Sequence, residues 1–276
     1  HVYSGKSLAG LTNNMLGWET TKQMDLGLDI NFLNNRINFS YDYYRKTTDD
    51  LLYDVEIPIS SNFYNFTTNI GKIRFWGHEF TLSTVNLDGE FRWTTDLNYS
   101  YNQNKVLALG TANAPIYGDH LITEVGKPIG QLYALIWDGI YMNQEDYDNS
   151  PKYDGAQVGM VKYKDIDGDE HIDNNDNDKT TFGNSTPTSI FGITNNFAWK
   201  NFDLSIVASG AAGHKLMNYQ ERFVTNLDGS FNVLKDLAYR WRSEENPGKG
   251  VYGKVISGTT SQERDWSSSK FFYDAA

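Results

Sequence analysis

A two-residue period, sustained far longer than a soluble strand requires, constrains this chain more than any other feature. In MDLGLDINF, Met24, Leu26, Leu28, Ile30 and Phe32 are apolar, while Gln23, Asp25, Gly27, Asp29 and Asn31 are small or polar. Successive side chains of a strand point to opposite faces, so one face is apolar along its whole length and the other carries two aspartates. The period returns five times. Ile37, Phe39, Tyr41 and Tyr43 carry it next, then Trp76, Phe80 and Leu82 with His78 and Thr84 in phase. Phe91, Trp93, Leu97, Tyr99 and Tyr101 follow, then Phe191, Ile193, Phe197 and Trp199, and finally Phe202, Leu204, Ile206 and Ala208. The alternation predicts six strands at about 18–32, 36–46, 72–86, 91–105, 187–199 and 202–213. Ordinary soluble strands run to about 5 or 6 residues.

The connections alternate as well. Short turns fall at 33–35, at 87–90 with an Asp-Gly pair that favours a hairpin, and at 200–201. Long segments occupy about 47–71, 106–186 and 214–270. In an antiparallel meander this puts every short turn at one end of the sheet and every long loop at the other, the asymmetry of an outer-membrane barrel. Trp18 and Trp76 lie at the long-loop end, Trp93 and Trp199 beside short turns, and all four share the apolar phase. Indole rings favour both membrane interfaces. The other face carries Asp, Asn, Ser, Thr and Arg, which suits a wet lumen and not a second apolar layer. Six strands cannot close a barrel, and an open edge is not viable in lipid, so the chain reads as part of a larger wall.

Composition narrows the rest. No run of 18 apolar residues exists, which excludes a membrane-spanning helix but not spanning strands. Cysteine is absent, removing disulfides and thiolate chemistry. A net charge of -11 argues against nucleic acid. Much of the acid is local, with twelve Asp and Glu against three Lys from Asp138 to Asp178.

The order of motifs resembles the SusC/RagA family of TonB-dependent outer-membrane transporters. WETTKQMDLGLDINFLNNRINFSYDYYRKTTDDLL, NIGKIRFWGHEF, GKPIGQLYALIWDGIY, VKYKDIDGDEHIDNNDND, TPTSIFGITNNFAWKNFDLSI and YRWRSEENPG follow the family order over nearly the whole chain. The resemblance implies an all-β fold, with residues 1–276 one part of a 22-stranded antiparallel transmembrane barrel. The family's N-terminal plug domain and its last strands are not in this sequence, which begins HVYSG and ends SSSKFFYDAA, so it reads as a C-terminal barrel fragment. The resemblance further implies the outer membrane of a Gram-negative bacterium and a SusD-like lipoprotein partner. It implies import of oligosaccharides or peptides, with energy from the TonB complex reached through the missing N-terminal part.

One stretch could hold a metal. DIDGDEHIDNND, residues 165–176, has calcium-loop spacing, with carboxylates at Asp165, Asp167, Asp169, Asp173 and Asp176 and the carbonyl of His171 at position 7. Ca²⁺ takes six to eight hard oxygens, which alternate residues around a tight turn deliver. Position 6, usually Gly, is Glu170, a departure that costs about 1–2 kcal/mol in a left-handed conformation. The metal is expected to be structural, fastening the long loop. No catalytic residue or organic cofactor is indicated, because His1, His78, His120, His171 and His214 lack ligand or triad spacing and no carboxylate pair stands out. Trp137, Tyr141 and Tyr219 are candidates to stack on a sugar, or else to pack the loop's own core. The alternative architecture is a secreted, calcium-dependent, carbohydrate-binding β-sandwich.

Overall fold

The computed structural model describes residues 11–56, 60, 63, 65–110, 112–118, 120–173, 177–225, 232–255 and 268–275. Its framework is one sheet built from β1 (Thr20–Phe32), β2 (Ile37–Glu56), β3 (Asn65–Asp88) and β4 (Phe91–Leu109). Between β4 and the rest of that sheet come β5 (Ile116–Gly118), β6 (Leu121–Thr123), β7 (Gln131–Leu135), β8 (Trp137–Ile140), helix α1 (Gln144–Asp148), β9 (Val161–Tyr163) and β10 (Lys179–Asn184). The sheet resumes with β11 (Ser189–Trp199) and β12 (Phe202–Ala212). Its order is β1-β2-β3-β4-β11-β12, antiparallel throughout. The three tight turns lie at one end, as expected. At the first, Leu33, Asn34 and Asn35 all take left-handed φ (51°, 57° and 64°), a conformation asparagine tolerates better than most residues. Arg36 then donates to the carbonyls of Val85 and Asn86, fixing this turn to the neighbouring hairpin.

Register sets the two faces. Leu28, Tyr41, Phe80, Tyr99 and Phe191 form one row across the strands, and Ile30, Phe39, Leu82, Leu97, Ile193 and Ala208 form the next. This apolar face is bare. Leu26 and Leu28 leave 60% and 52% of their surface exposed, and Leu204 and Ile206 are similar. No second sheet covers it among the described residues, so the sandwich alternative fails, since a sandwich must bury one face of each sheet against the other. Polar residues in this phase satisfy one another. Thr95 Oγ1 and Trp93 Nε1 both donate to Asn195 Oδ1, at 2.7 and 3.0 Å, and Asn86 Nδ2 donates to Thr95 Oγ1 at 2.8 Å. Facing lipid, each would otherwise remain unsatisfied.

Two expected boundaries are corrected. β1 starts at Thr20, and Trp18 precedes it, almost wholly bare. More consequentially, the segment 47–71 is mostly strand. β2 continues to Glu56 and β3 begins at Asn65, leaving 57–64 as the connection. Irregular pairing around Thr48, Leu51 and Leu52, with Asp50 at φ 59°, breaks the alternation while hydrogen bonding continues. The nine-residue band Met24–Phe32 already suffices for one barrel crossing. Beyond Arg45 and Trp76, opposite Met24's row, this ribbon therefore rises another eleven residues, on the order of 35 Å along the strand.

The long loop 106–186 is also structured. It folds into a cap with sheet order β10-β7-β6-β5 and a separate β8-β9 pair. Its core is Leu135, Tyr141, Tyr153, Ala156, Val161, Tyr163 and Ile172. A second cluster, Ile73, Val106 and Leu109 with Phe75, Ile116 and Ile129, joins the polar-face side of the wall to the cap. The segment 214–270 contributes β13 (Lys215–Met217), helix α2 (Glu221–Val224) and a 3-10 turn at Lys235–Tyr239. β14 (Phe272–Asp274) then pairs with β13.

Candidate functional site

The face opposite the apolar one is the candidate site. Pairing aligns Asp25, Tyr44, Gly77 and Asn102 in one row, and Gly27, Asp42, Glu79 and Ser100 in the next. The glycines let neighbouring side chains lie flat. A Cβ at Gly77 would sit 2.7 Å from both the Tyr44 ring and the Tyr101 carbonyl, and one at Gly27 would meet Asp42 Oδ1 at 2.7 Å. Tyr44 thus reclines across Gly77 and donates to Asn102 Oδ1 at 2.7 Å. A cavity of about 520 Å³ is lined by Gln23, Asp25, Asp42, Tyr44, Lys46, Phe75 and Glu79. Three carboxylates against one lysine make it electronegative, and low-dielectric walls focus that field on whatever enters. An adjoining cavity of about 350 Å³ shares Tyr44 and Phe75 and is bounded by Pro128, Ile129, Thr186 and Pro187 of the cap side.

The cap is pinned to the wall by the residues of GKPIG. Val106 N donates to Lys127 O and the Val106 carbonyl accepts from Gly126 N, each at 2.9 Å, while Ile129 N donates to Asn104 Oδ1 at 2.8 Å. Trp241, from the segment YRWRSEENPG, closes the far side. Its Nε1 donates to Met142 O at 2.9 Å, and its ring covers Gly159, whose φ is +86°. Nearby, Lys270 stands over the rings of Trp137 and Tyr252 and donates to Val251 O at 2.9 Å. Burial there pushes its ammonium down to about 7, against the opposing pull of Glu221.

The acidic loop brings together a different set from the expected one. Carboxylate oxygens of Asp165, Asp167 and Asp178 lie within 4.8 Å of one another. Asp178 is buried, its oxygens accepting from Ile166 N at 3.0 Å and Asp173 N at 2.8 Å. Asp165 accepts from Gly168 N and Glu170 N, which hold its carboxyl below the usual range. Desolvation and the surrounding carboxylates raise Asp167. Glu170 adopts φ 64°, the left-handed turn the loop demands. Asp169, His171 and Asp173 stand outside the three-carboxylate set, with Asp169 accepting from His171 N at 2.8 Å. Asp176 lies outside the described residues. Each of the three clustered carboxylates retains spare acceptor sites, and this all-oxygen donor set fits a hard divalent cation.

A family model described as TonB dependent receptor-like, beta-barrel, matches residues 3–242. The chain belongs to the TonB-dependent receptor β-barrel family. TonB-dependent receptor P26 of Formosa agariphila is 32% identical over 267 residues, covering 93% of this chain and 27% of the relative. TonB-dependent receptor SusC of Bacteroides thetaiotaomicron is 30% identical over 211 residues, covering 74% of this chain and 20% of SusC. A solved structure of the RagAB peptide transporter superposes with a TM-score of 0.77 at 21% identity, over 97% of this chain and 29% of that one. The chain thus spans well under a third of its relatives' length, and its sheet is a segment of a barrel wall in the outer membrane of a Gram-negative bacterium.

Within this TonB-dependent receptor segment, the expected sugar-stacking residues have different surroundings. Tyr141 is fully enclosed and donates to Pro151 O at 2.6 Å, so it serves the cap's core. Trp137 packs against the same core. Tyr219 is half exposed, with Arg222 over its ring at 5.2 Å and Phe223 beside it. Three positions escaped the sequence reading: Asp178, Tyr44 and Trp241. Asp178 follows Asp176 by two, a signal lost by counting only twelve positions. Tyr44 lies between Tyr43 and Arg45, opposite in phase to the apolar residues, and that phase alone could have marked it as lumen-facing.

Proposed function

We propose that the whole protein is an outer-membrane importer of oligosaccharides or peptides, working with a SusD-like lipoprotein and energised through TonB. The carrying observation is the wall itself, one strand thick, bare and apolar on one side, polar and cavity-bearing on the other. Similarity to SusC, and a fold shared with the RagAB peptide transporter, support this reading. Cargo would meet the Asp25, Asp42 and Glu79 surface after passing the cap, where hydroxyl and ammonium donors find acceptors. No bond is made or broken in this role. The test is uptake of labelled oligosaccharide and peptide pools by cells carrying the full gene, a deletion, or the full gene with Asp42→Asn and Glu79→Gln. The deletion should abolish uptake of one class, and the double variant should reduce it severalfold at unchanged surface abundance. Uptake equal to wild type in the deletion strain would refute the proposal.

We further propose that Asp165, Asp167 and Asp178 hold a structural Ca²⁺ that fastens the cap. Bound metal would neutralise the crowded carboxylates and tie residues 165–168 to Asp178 across the loop. In the full-length protein, adding calcium should slow proteolysis of segment 161–184 several-fold, chelation should reverse this, and Asp178→Asn should remove the dependence. Cleavage rates indifferent to calcium in the wild type would rule the metal out.

A further inference from the structure

The top outward row of the apolar band and the row immediately above it carry a concentration of cations. One is Met24, Arg45, Trp76 and Gln103, and the next is Lys22, Thr47, Arg74 and Lys105. Pairing between these positions is regular, so Lys22, Arg45, Arg74 and Lys105 all share the phase of Leu26 and Leu28 and point out of the wall. Arg74 and Lys105 are direct cross-strand partners, and Arg45 is diagonal to both Lys22 and Arg74. Such neighbours lie about 5–8 Å apart at Cβ, and like charges at that range destabilise a sheet. Among the described residues no ion pair compensates them: none of the four has a carboxylate within 4.0 Å, while the nearby Asp49 is committed to Lys72 at 2.7 Å. The Nε of Arg74 is buried without any hydrogen-bond partner.

Height decides what could neutralise them. Trp76, Tyr43, Tyr101 and His78 form the aromatic rim of the band at its long-loop end, with Gln103 donating to the Tyr101 hydroxyl. Lys22 stands one pleat repeat above Met24, roughly 7 Å along the strand. That is headgroup depth in the outer leaflet, where the ion available is the phosphate of a membrane lipid. We propose that Lys22, Arg45, Arg74 and Lys105 form a docking surface for the phosphorylated headgroup of an outer-leaflet glycolipid of the lipid A type. Arginine offers paired N–H donors to phosphate oxygens, and the lysines add point charge from β1 and β4. The lipid thereby supplies the counter-charge that the register leaves out.

The full-length protein, purified in mild detergent, provides the test. Lipid A retained per protein would be quantified by mass spectrometry for wild type and for the combined variant Lys22→Gln, Arg45→Gln, Arg74→Gln and Lys105→Gln. Each cation near an anionic lipid surface contributes enough that retention should fall by at least about tenfold. Heat-modifiable gel mobility verifies that the variant barrel has folded. If it has not, the wild type still decides. Purified lipid A should raise its thermal midpoint, lipid A with its phosphates enzymatically removed should not, and millimolar inorganic phosphate should leave the midpoint unchanged. Equal retention by the folded variant, equal stabilisation by the dephosphorylated lipid, or full stabilisation by inorganic phosphate would each overturn the proposal.

Discussion

Replacing Leu28 with arginine will destabilise the assembled barrel by about 2–4 kcal/mol, whereas the same replacement at its neighbour Asp29 will cost far less. Leu28 is the central residue of the Met24–Phe32 band, opposite Tyr41, so its side chain sits near the bilayer midplane. A guanidinium there must be dragged towards the headgroups or must pull water in. Asp29 points the other way, into the wet lumen, where its carboxylate accepts from Ser40 Oγ. Losing that exposed hydrogen bond costs roughly 1 kcal/mol at most. Denaturant unfolding of the full-length protein in lipid vesicles, followed by tryptophan fluorescence, measures both. Equal penalties at 28 and 29 would mean that the apolar face does not meet acyl chains.

The second large effect concerns the cap. Gly159→Val should undock the Trp241 segment at a cost of about 2–5 kcal/mol, combining a left-handed β-branched residue with overpacking. A Cβ at this position would lie 2.4 Å from the Trp241 ring. The ring has little room to retreat, because its Nε1 is bonded to Met142 O and its backbone N to Tyr252 O. The carbonyl of Gly159 accepts from Lys254 N at 2.7 Å, so displacement should spread to the 251–255 segment as well. Hydrogen exchange should show lost protection at 139–142 and 239–254, with β1–β4 unchanged. Preserved protection at 239–254 would show that Gly159 does not carry this contact.

What was legible in the sequence follows from where alternation survives. β1, β11 and β12 separate lipid from lumen residue by residue, and their two-residue period reports it directly. β2 and β3 run past their alternating parts because the irregular pairing at Thr48–Leu52 shifts phase, which erases the pattern without ending the ladder. The cap was invisible as structure because β5, β6 and β9 have three residues each, too few for any period to register. Of its core tyrosines, Tyr141 carries a polar tip that suits a sugar as well as packing, while Tyr153 and Tyr163 had no pattern to mark them. The acidic loop was half legible. Spacing places Asp165 and Asp167 in one loop, and the buried Asp178, two residues beyond the twelve-residue frame, joins their cluster in the fold.

Tyr44 lying down across Gly77, with the gap at Gly27 left to Asp42, has a mechanical corollary. Side chains that recline along a wall widen the bore and remove the projections on which a passing molecule would catch. In the import role proposed above, an inner surface with such low relief would serve as a bearing, along which a hydrated chain could slide without repeated unlocking. Filling either glycine would roughen the track, and the penalty would appear as friction, a slower passage at undiminished grip.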